Sequence, residues 1–166
     1  MKVLFLGSPE FAKIVLSYVL ESHHEVVAVI CQVDKPSGRG NKLTSPIIKP
    51  FAQEKGIPVF QFDKVNRHIE EIKNLGFDVF VTASFGQILS RDFLEIGEGL
   101  NVHPSMLPKY RGSTPIQTAL LNCDEETGIT IQKMRYEVDS GEVYMQKPFK
   151  IDCDDDFDSL STKLAM

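Results

Sequence analysis

The chain has 166 residues, of which 42% are hydrophobic and 25% charged, and this composition suits one globular domain with a substantial core. Its net charge of −5 argues against binding nucleic acid with the whole surface, and no segment has the roughly 20 consecutive apolar residues of a membrane span. The three cysteines, Cys31, Cys123 and Cys153, are too far apart to indicate a zinc knuckle or a disulfide framework, so a reducing, cytoplasmic setting is the simplest interpretation.

Apolar runs and turn residues predict strands that alternate with helices along the chain. Strands are predicted at 3–6, 25–30, 57–60, 77–83, 100–103, 128–134 and 142–150. Helices are predicted at 11–20, 46–54, 66–75 and 114–121, and 160–166 has the pattern of an amphipathic helix. Ser8 is expected to be the N-cap of the first helix, with Pro9 at its first position. Residues 33–45 contain Gly and Pro and are predicted to form a long loop.

This alternation predicts an α/β fold that is Rossmann-like, with a mostly parallel sheet and helices on both faces. In such sheets ligands bind beyond the carboxyl ends of the strands, where the strand order reverses. His103 lies at the end of a predicted strand and is therefore placed at this edge.

The segment from Asn101 to Gly112, together with Asp139-Ser140-Gly141, is the strongest indication of chemistry. Asn101 and His103 are two residues apart, so on a strand their side chains share a face. Asp139 offers a carboxylate on a turn. A lone histidine or asparagine at a strand end is more often structural, but an amide, an imidazole and a carboxylate together suit the transfer of an acyl group.

Two other segments have simpler interpretations. Gly7-Ser8-Pro9-Glu10 follows the first strand but lacks the further glycines of a dinucleotide-binding turn. The acidic stretch 152–158 is predicted to be a solvated turn that leads into a helix rather than a metal site, because no histidine or EF-hand glycine spacing accompanies it.

The run from Leu100 to Gln117 resembles the signature of the folate-dependent formyltransferases, and Asp139-Ser140-Gly141 resembles their aspartate loop. The resemblance covers essentially all 166 residues and corresponds to the family's N-terminal catalytic domain at 1–166; the smaller C-terminal β-barrel domain is expected to be absent from this chain. Segments 7–12, 34–43 and 111–117 favour the branch of the family that formylates methionyl-tRNA. Met106, Ser8 and Ser84-Phe85 depart from the usual residues without removing a group expected in catalysis.

The resemblance implies that a formyl group passes from 10-formyltetrahydrofolate to the α-amino group of methionine on initiator tRNA, in a cytoplasmic monomer that needs no metal and no membrane. Its implied catalytic residues are Asn101, His103 and Asp139. Its implied folate-binding residues are Ser84, Phe85, Gly86, Gln87, Ile88, Leu89, Ser105, Met106, Leu107 and Pro108. Its implied tRNA-binding residues are Lys35, Arg39 and Lys42.

Two kinds of alternative remain open at this point. A relative with the same chemistry can act on a different acceptor, as an amino-sugar N-formyltransferase or as a formyltetrahydrofolate hydrolase that uses water. A chain without the second domain can also be a folate-binding fragment that does not catalyse transfer.

Overall fold

The computed structural model describes residues 1–37 and 42–166, which contain nine strands and six α-helices. The strands are β1 (Lys2–Gly7), β2 (Glu25–Cys31), β3 (Lys35–Ser37), β4 (Lys42–Thr44), β5 (Val59–Gln61), β6 (Val79–Ala83), β7 (Glu98–His103), β8 (Glu126–Lys133) and β9 (Val143–Lys150). The helices are α1 (Glu10–Glu21), α2 (Ile48–Glu54), α3 (Ile69–Lys73), α4 (Arg91–Leu94), α5 (Pro115–Leu121) and α6 (Phe157–Ala165).

Seven of the strands form one sheet in the order β5-β2-β1-β6-β7-β8-β9. The five strands from β5 to β7 are parallel, whereas β8 and β9 run antiparallel at one edge. The chain winds outward from β1 to β5, returns to β6 on the other side of β1, and continues outward to β9. The predicted α/β fold is therefore confirmed, and the strand order reverses between β1 and β6, where a ligand crevice is expected.

The sheet separates two hydrophobic clusters because successive side chains of a strand point to opposite faces. Phe5 of β1 packs in the cluster beneath α1, α2, α5 and α6, while its neighbours Leu4 and Leu6 pack on the other face with α3 and α4. Phe5, Leu4 and Leu6 are all fully buried. The helices thus cover both faces, as the sequence pattern predicts.

The predicted N-cap of the first helix is wrong. Helix α1 begins at Glu10 after Pro9, and no side chain caps it. The Ser8 hydroxyl instead accepts a hydrogen bond at 3.0 Å from the backbone N–H of Gln32, just beyond β2. Ser8 therefore joins two loops at the carboxyl edge of the sheet, a tertiary contact that overrides its local capping preference.

The predicted loop at 33–45 contains short strands at its described flanks. Strands β3 and β4 pair as an antiparallel hairpin. Its base is fixed by Asp34, whose carboxylate accepts hydrogen bonds from Gln61 and Lys49 at 2.6 and 2.9 Å. The pKa of Asp34 is lowered, first by Gln61 and then by Lys49. Cross-strand pairing and this anchor explain why the segment is more regular than its Gly and Pro content predicts.

The predicted helix at 66–75 is shorter than expected. Residues Val65–Arg67 form a 3-10 turn, and α3 covers only Ile69–Lys73. No helix of the described residues is both long and apolar enough to cross a bilayer.

The acidic stretch after β9 forms the predicted turn into a helix. Asp156 accepts a hydrogen bond from Ser159 N and completes a capping box at the start of α6. Lys163 donates to Asp152 and Asp155 at 2.6 and 2.8 Å. Hydrogen bonds from Lys163 and Ser159 lower the pKa of Asp155 to about 2, so this carboxylate holds α6 against the turn.

Replacing Asp155 with Asn should destabilise the protein at neutral pH by lowering its melting temperature about 2–4 °C. Because the pKa of Asp155 is depressed, its contribution is present above the ordinary value of 3.8 and is lost as the pH falls toward about 2. Thermal unfolding by circular dichroism should show the difference at neutral pH and little difference near pH 2. The exposed neighbour Asp154, replaced with Asn, is the matched control, and equal melting of wild type and Asp155→Asn at neutral pH would contradict the assignment.

Candidate functional site

A row of polar side chains crosses three adjacent strands at the carboxyl edge of the sheet. Thr82 of β6 lies opposite Asn101 of β7, which lies opposite Gln132 of β8. Residues opposite one another on neighbouring strands point to the same face. The Thr82 hydroxyl donates to Asn101 Oδ1 at 2.8 Å, so the amide nitrogen of Asn101 is directed away from Thr82.

The Asp139 carboxylate lies at the centre of this row. Asn101 Nδ2 and Gln132 Nε2 donate to its Oδ1 at 3.2 and 2.7 Å, and the backbone N–H of Gly112 donates to its Oδ2 at 2.8 Å. His103 Nδ1 lies 3.5 Å from Oδ2. The structure therefore brings together the amide, the imidazole and the carboxylate that are distant along the chain.

The turn that carries Asp139 depends on an unusual backbone. Asp139 has a φ of +50°, a left-handed conformation that Asp tolerates better than most residues. At Gly141 a Cβ atom would overlap the backbone carbonyl oxygen of Lys133. Glycine at 141 therefore allows the chain to pass close to β8 and return Asp139 into the site.

His103 is only 4% exposed, and both of its ring nitrogens face acceptors. Nε2–H donates to the Tyr110 carbonyl oxygen at 2.9 Å, while Nδ1 faces the Asp139 carboxylate. The ring is therefore held between a backbone carbonyl oxygen and a carboxylate, which together fix its orientation in the site.

Tyr110 is held in place so that its carbonyl reaches His103. It has a left-handed backbone with a φ of +57°. Its hydroxyl donates to Asp124 Oδ2 at 2.6 Å and accepts from Asn122 Nδ2 at 2.9 Å, and Lys109 Nζ lies 2.9 Å from the same Asp124 oxygen. Hydrogen bonds from Tyr110 and then Lys109 lower the pKa of Asp124. We call Lys109, Tyr110 and Asp124 the tyrosine clamp.

Three adjoining clefts surround this cluster. The first has a volume of about 320 Å³ and is lined by Asn101, His103 and Asp139. The second, of about 490 Å³, shares Asp139 with the first and extends past Ile88. The third, of about 230 Å³, adjoins the first on the side of Pro104 and extends toward the start of α6. Among the described residues, no group of three or more His, Cys, Asp or Glu side chains is placed to hold a metal ion.

Residues 1–166 match a protein-family model described as formyl transferase. The chain belongs to the formyl transferase family. It is 45% identical to methionyl-tRNA formyltransferase of Dictyoglomus thermophilum, over 99% of this chain and 54% of that protein, and 44% identical to the protein of the same name in Kosmotoga olearia, with the same coverage. The chain therefore spans about half the length of these relatives.

Solved structures of other formyl transferases share the fold. Phosphoribosylglycinamide formyltransferase from Bacillus halodurans superposes with a TM-score of 0.77 at 22% identity, over 99% of this chain and 87% of that one. The sugar 3N-formyl transferase WlaRD, solved with dTDP and 5-N-formyl-THF, gives a TM-score of 0.70 at 24% identity, over 99% of this chain and 57% of that one. At these identities the likeness shows the fold alone.

Within this formyl transferase fold, the predicted folate-binding segments are separated. The segment 84–89 lines the clefts: Ser84, Phe85, Gly86, Gln87 and Leu89 line the first, and Ile88 lines the second.

The other predicted folate segment, Ser105, Met106, Leu107 and Pro108, lines none of the three clefts. Ser105 Oγ donates to the Lys109 carbonyl oxygen at 2.6 Å, and Leu107 N donates to Thr130 Oγ1 at 3.1 Å. Met106 packs against Gly128 of β8. These contacts place the segment beneath the tyrosine clamp, where it supports the loop after β7.

The predicted tRNA-binding lysines lie on the hairpin. Lys35 and Lys42 are exposed on β3 and β4, whereas Arg39 lies outside the described residues. The hairpin leaves the same edge of the sheet as the clefts, since Gln32 at its base donates to the Phe85 carbonyl oxygen at 2.9 Å.

Sequence reasoning missed Thr82, Gln132 and the Tyr110–Asp124 contact. Thr82 and Gln132 occupy inward positions of predicted strands, where a polar residue among apolar neighbours is a signal. Their partnership with Asn101 depends on the register of β6, β7 and β8, which spacing along the chain does not reveal. Asp124 lies on the turn after α5, and only the folded chain brings it to Tyr110.

Replacing Tyr110 with Phe should loosen the tyrosine clamp and lower the free energy of unfolding by about 1 kcal/mol at neutral pH. Loss of the phenol should raise the pKa of Asp124 toward its ordinary value of 3.8. The stability difference is therefore present above that value and shrinks as the pH falls below it. Urea unfolding across this range and an NMR titration of the Asp124 carboxyl measure both effects. Tyr18→Phe is the control, because Tyr18 is 43% exposed on α1, and an unchanged Asp124 titration in Tyr110→Phe would contradict the clamp.

Proposed function

We propose that this chain transfers the formyl group of 10-formyltetrahydrofolate to the α-amino group of methionine on initiator tRNA. The observation that carries the proposal is the convergence of Asn101, His103 and Asp139 in one cleft beyond the carboxyl ends of β6 and β7. The names of the relatives from Dictyoglomus and Kosmotoga support this acceptor. A cytoplasmic location and a monomeric state remain predictions.

The reaction requires stabilisation of a negative charge that develops on the formyl oxygen. The amine attacks the formyl carbon, a new C–N bond forms, the bond from that carbon to N10 of the folate breaks, and the proton lost by the amine ends on N10. Placed N–H donors stabilise the developing charge, and one such donor typically contributes about 3–4 kcal/mol. Among the residues around the first cleft, the Asn101 amide can supply such a donor.

Asn101 is the donor that the geometry leaves most available. Its Nδ2 donates to Asp139 Oδ1 over a long distance of 3.2 Å, and Gln132 Nε2 donates to the same oxygen at 2.7 Å. The Asn101 amide can therefore turn toward a substrate oxygen while Gln132 still satisfies Asp139. Thr82 keeps the carbonyl end of the amide in place.

His103 and Asp139 act as a pair. The imidazole of His103 lines the first cleft, and Asp139 and the Tyr110 carbonyl fix its orientation. The α-amino group has a pKa of about 7.7–8, so a substantial fraction is already the free base near neutral pH. After the amine attacks, Asp139 accepts the proton that the amine loses, through a bridging water molecule.

The second cleft suits the folate. Apolar side chains line it, and the segment 86–89 contributes backbone groups that can pair with a ring system. The apolar side chains are Ile88, Leu89, Met134 and Val138. Asp139 lies in both the first and the second cleft, so a folate held there presents its formyl group to the site.

The third cleft is then proposed to bind the acceptor, the methionyl end of the tRNA. It shares Ser84, Pro104, Ser113 and Pro115 with the first cleft and lies on the other side from the folate. Its apolar lining suits the side chain of methionine and comprises Phe11, Ile14, Ile116 and Phe157. Lys35 and Lys42 on the hairpin, together with Arg39, are proposed to contact tRNA phosphates.

Removing the Asn101 amide should slow transfer more than it weakens binding. Asn101→Ala is expected to lower kcat by about 10²–10³ with little change in KM, because the donor acts chiefly in the transition state. His103→Ala and Asp139→Ala should each abolish transfer while the fold is retained. Rapid-quench assays with methionyl-tRNA and folded-state checks by circular dichroism measure this, and Asn74→Ala on the exposed end of α3 is the control. Turnover at the wild-type rate in any of the three variants contradicts the assigned roles.

The acceptor assignment is tested by Phe157→Ser. Phe157 is 44% exposed, so its replacement should leave the fold intact while weakening the contact to the methionine side chain. We expect kcat/KM for methionyl-tRNA to fall about tenfold, the affinity for tetrahydrofolate to stay unchanged, and Tyr18→Ser, at an equally exposed aromatic, to have no effect. A loss of folate affinity instead would reverse the assignment of the two clefts. If the wild type formylates a nucleotide amino sugar faster than methionyl-tRNA, the proposed acceptor is wrong.

A further inference from the structure

The first and third clefts share four lining residues: Ser84, Pro104, Ser113 and Pro115. The two prolines have no N–H group and only apolar side-chain atoms, so the hydroxyls of Ser84 and Ser113 are the polar side-chain groups of this boundary. An amine held in the third cleft crosses the boundary to reach the catalytic groups of the first. The two serines therefore lie on the path between the proposed acceptor cleft and the reacting centre.

Both hydroxyls are available to a ligand. Ser84 and Ser113 are exposed, and neither hydroxyl makes a hydrogen bond to another residue in the part of the chain that the structure describes. The hydroxyl of Thr82, which also lines the first cleft, is by contrast engaged within the protein, since it donates to Asn101 Oδ1 at 2.8 Å. The two serines thus leave their hydrogen-bonding capacity to whatever occupies the boundary.

Ser84 is held at the boundary by an unusual turn that follows β6. Its φ is +48°, a left-handed value that is uncommon for a residue other than glycine, and Gly86 has a φ of +80°. Between them, the Phe85 carbonyl oxygen accepts a hydrogen bond at 2.9 Å from Gln32 Nε2, which ties the turn to the loop after β2. Such conformations cost free energy and persist where surrounding contacts over-determine them, often at ligand sites.

We infer that the hydroxyls of Ser84 and Ser113 accept hydrogen bonds from the N–H groups of the attacking amine. This inference rests on the proposed function and adds two residues that select and orient the acceptor. An amine that attacks as the free base has two N–H donors and one lone pair, and a hydroxyl oxygen can accept. Two acceptors at the boundary engage the two donors and leave the lone pair free to face the formyl carbon.

The contact of Ser84 concerns the amine and not the folate. Ser84 lines the first and third clefts but not the second, which is the cleft proposed for the folate. The sequence placed Ser84 among the folate-binding residues, and this inference moves it to the acceptor. Ser113 lines all three clefts, so Ser84 is the residue whose replacement separates the two substrates.

Ser84→Ala tests the contact, because alanine keeps the Cβ atom and removes only the hydroxyl. Loss of one hydrogen bond should lower kcat/KM for methionyl-tRNA about three- to tenfold, while the dissociation constant of tetrahydrofolate in isothermal titration stays unchanged. Ser113→Ala should lower kcat/KM by a similar factor, and the double variant by more than either. Ser17→Ala is the control, because its hydroxyl bonds the Ile14 carbonyl oxygen within α1 and it lines none of the three clefts.

Ser84→Gly separates the hydroxyl from the turn. Glycine adopts the left-handed conformation without strain, so this variant should keep the fold, which circular dichroism checks. If the hydroxyl binds the amine, Ser84→Gly loses as much kcat/KM as Ser84→Ala, and wild-type transfer in either variant overturns the inference while leaving the proposed function in place. Weaker tetrahydrofolate binding in Ser84→Ala also overturns it, since the hydroxyl then serves the folate. If the wild type does not formylate methionyl-tRNA, the proposed function fails, and the inference fails with it.

Discussion

The Asp139 carboxylate is the interaction on which the site depends. Donors from three separate parts of the chain, Asn101 on β7, Gly112 after β7 and Gln132 on β8, converge on its two oxygens, and His103 faces it. A carboxylate shielded from water needs hydrogen-bond partners, so the place of Asp139 in the site depends on these elements staying in register. The site and the local fold therefore stabilise each other.

The position of this cluster follows from the topology of the sheet. Thr82, Asn101 and Gln132 lie side by side on the neighbouring strands β6, β7 and β8, so the cluster forms next to the reversal of strand order between β1 and β6 rather than at it. The antiparallel strands β8 and β9 then extend the sheet and return Asp139 beside β7. If β8 and β9 were parallel, the chain between them would have to cross to the opposite edge of the sheet. Because they are antiparallel, their short connection stays at one edge and keeps Asp139 at the mouth of the cleft.

Two strained turns hold the reactive groups in place. Asp139 and Tyr110 both adopt left-handed backbone conformations, and each is tied by hydrogen bonds to another part of the chain. Such conformations persist only where surrounding contacts over-determine them, and they are frequent at functional sites. The tyrosine clamp holds the Tyr110 carbonyl oxygen where it accepts a hydrogen bond from His103 Nε2–H, and Asp139 faces the other ring nitrogen. The ring is therefore oriented before any substrate binds.

The sequence by itself determined the α/β class, the order of the main strands and helices, and the pairing of Asn101 and His103 on one face, because these follow from local periodicity. It also indicated Asp139, through a turn motif. Only the tertiary structure decided that Ser8 joins a loop instead of capping α1, that Ser105–Pro108 lies beneath the clamp, and that Thr82, Gln132 and Asp124 belong to the site. The physical reason is that strand register and long-range hydrogen bonds join residues far apart in the chain, and local propensity carries no information about such partners.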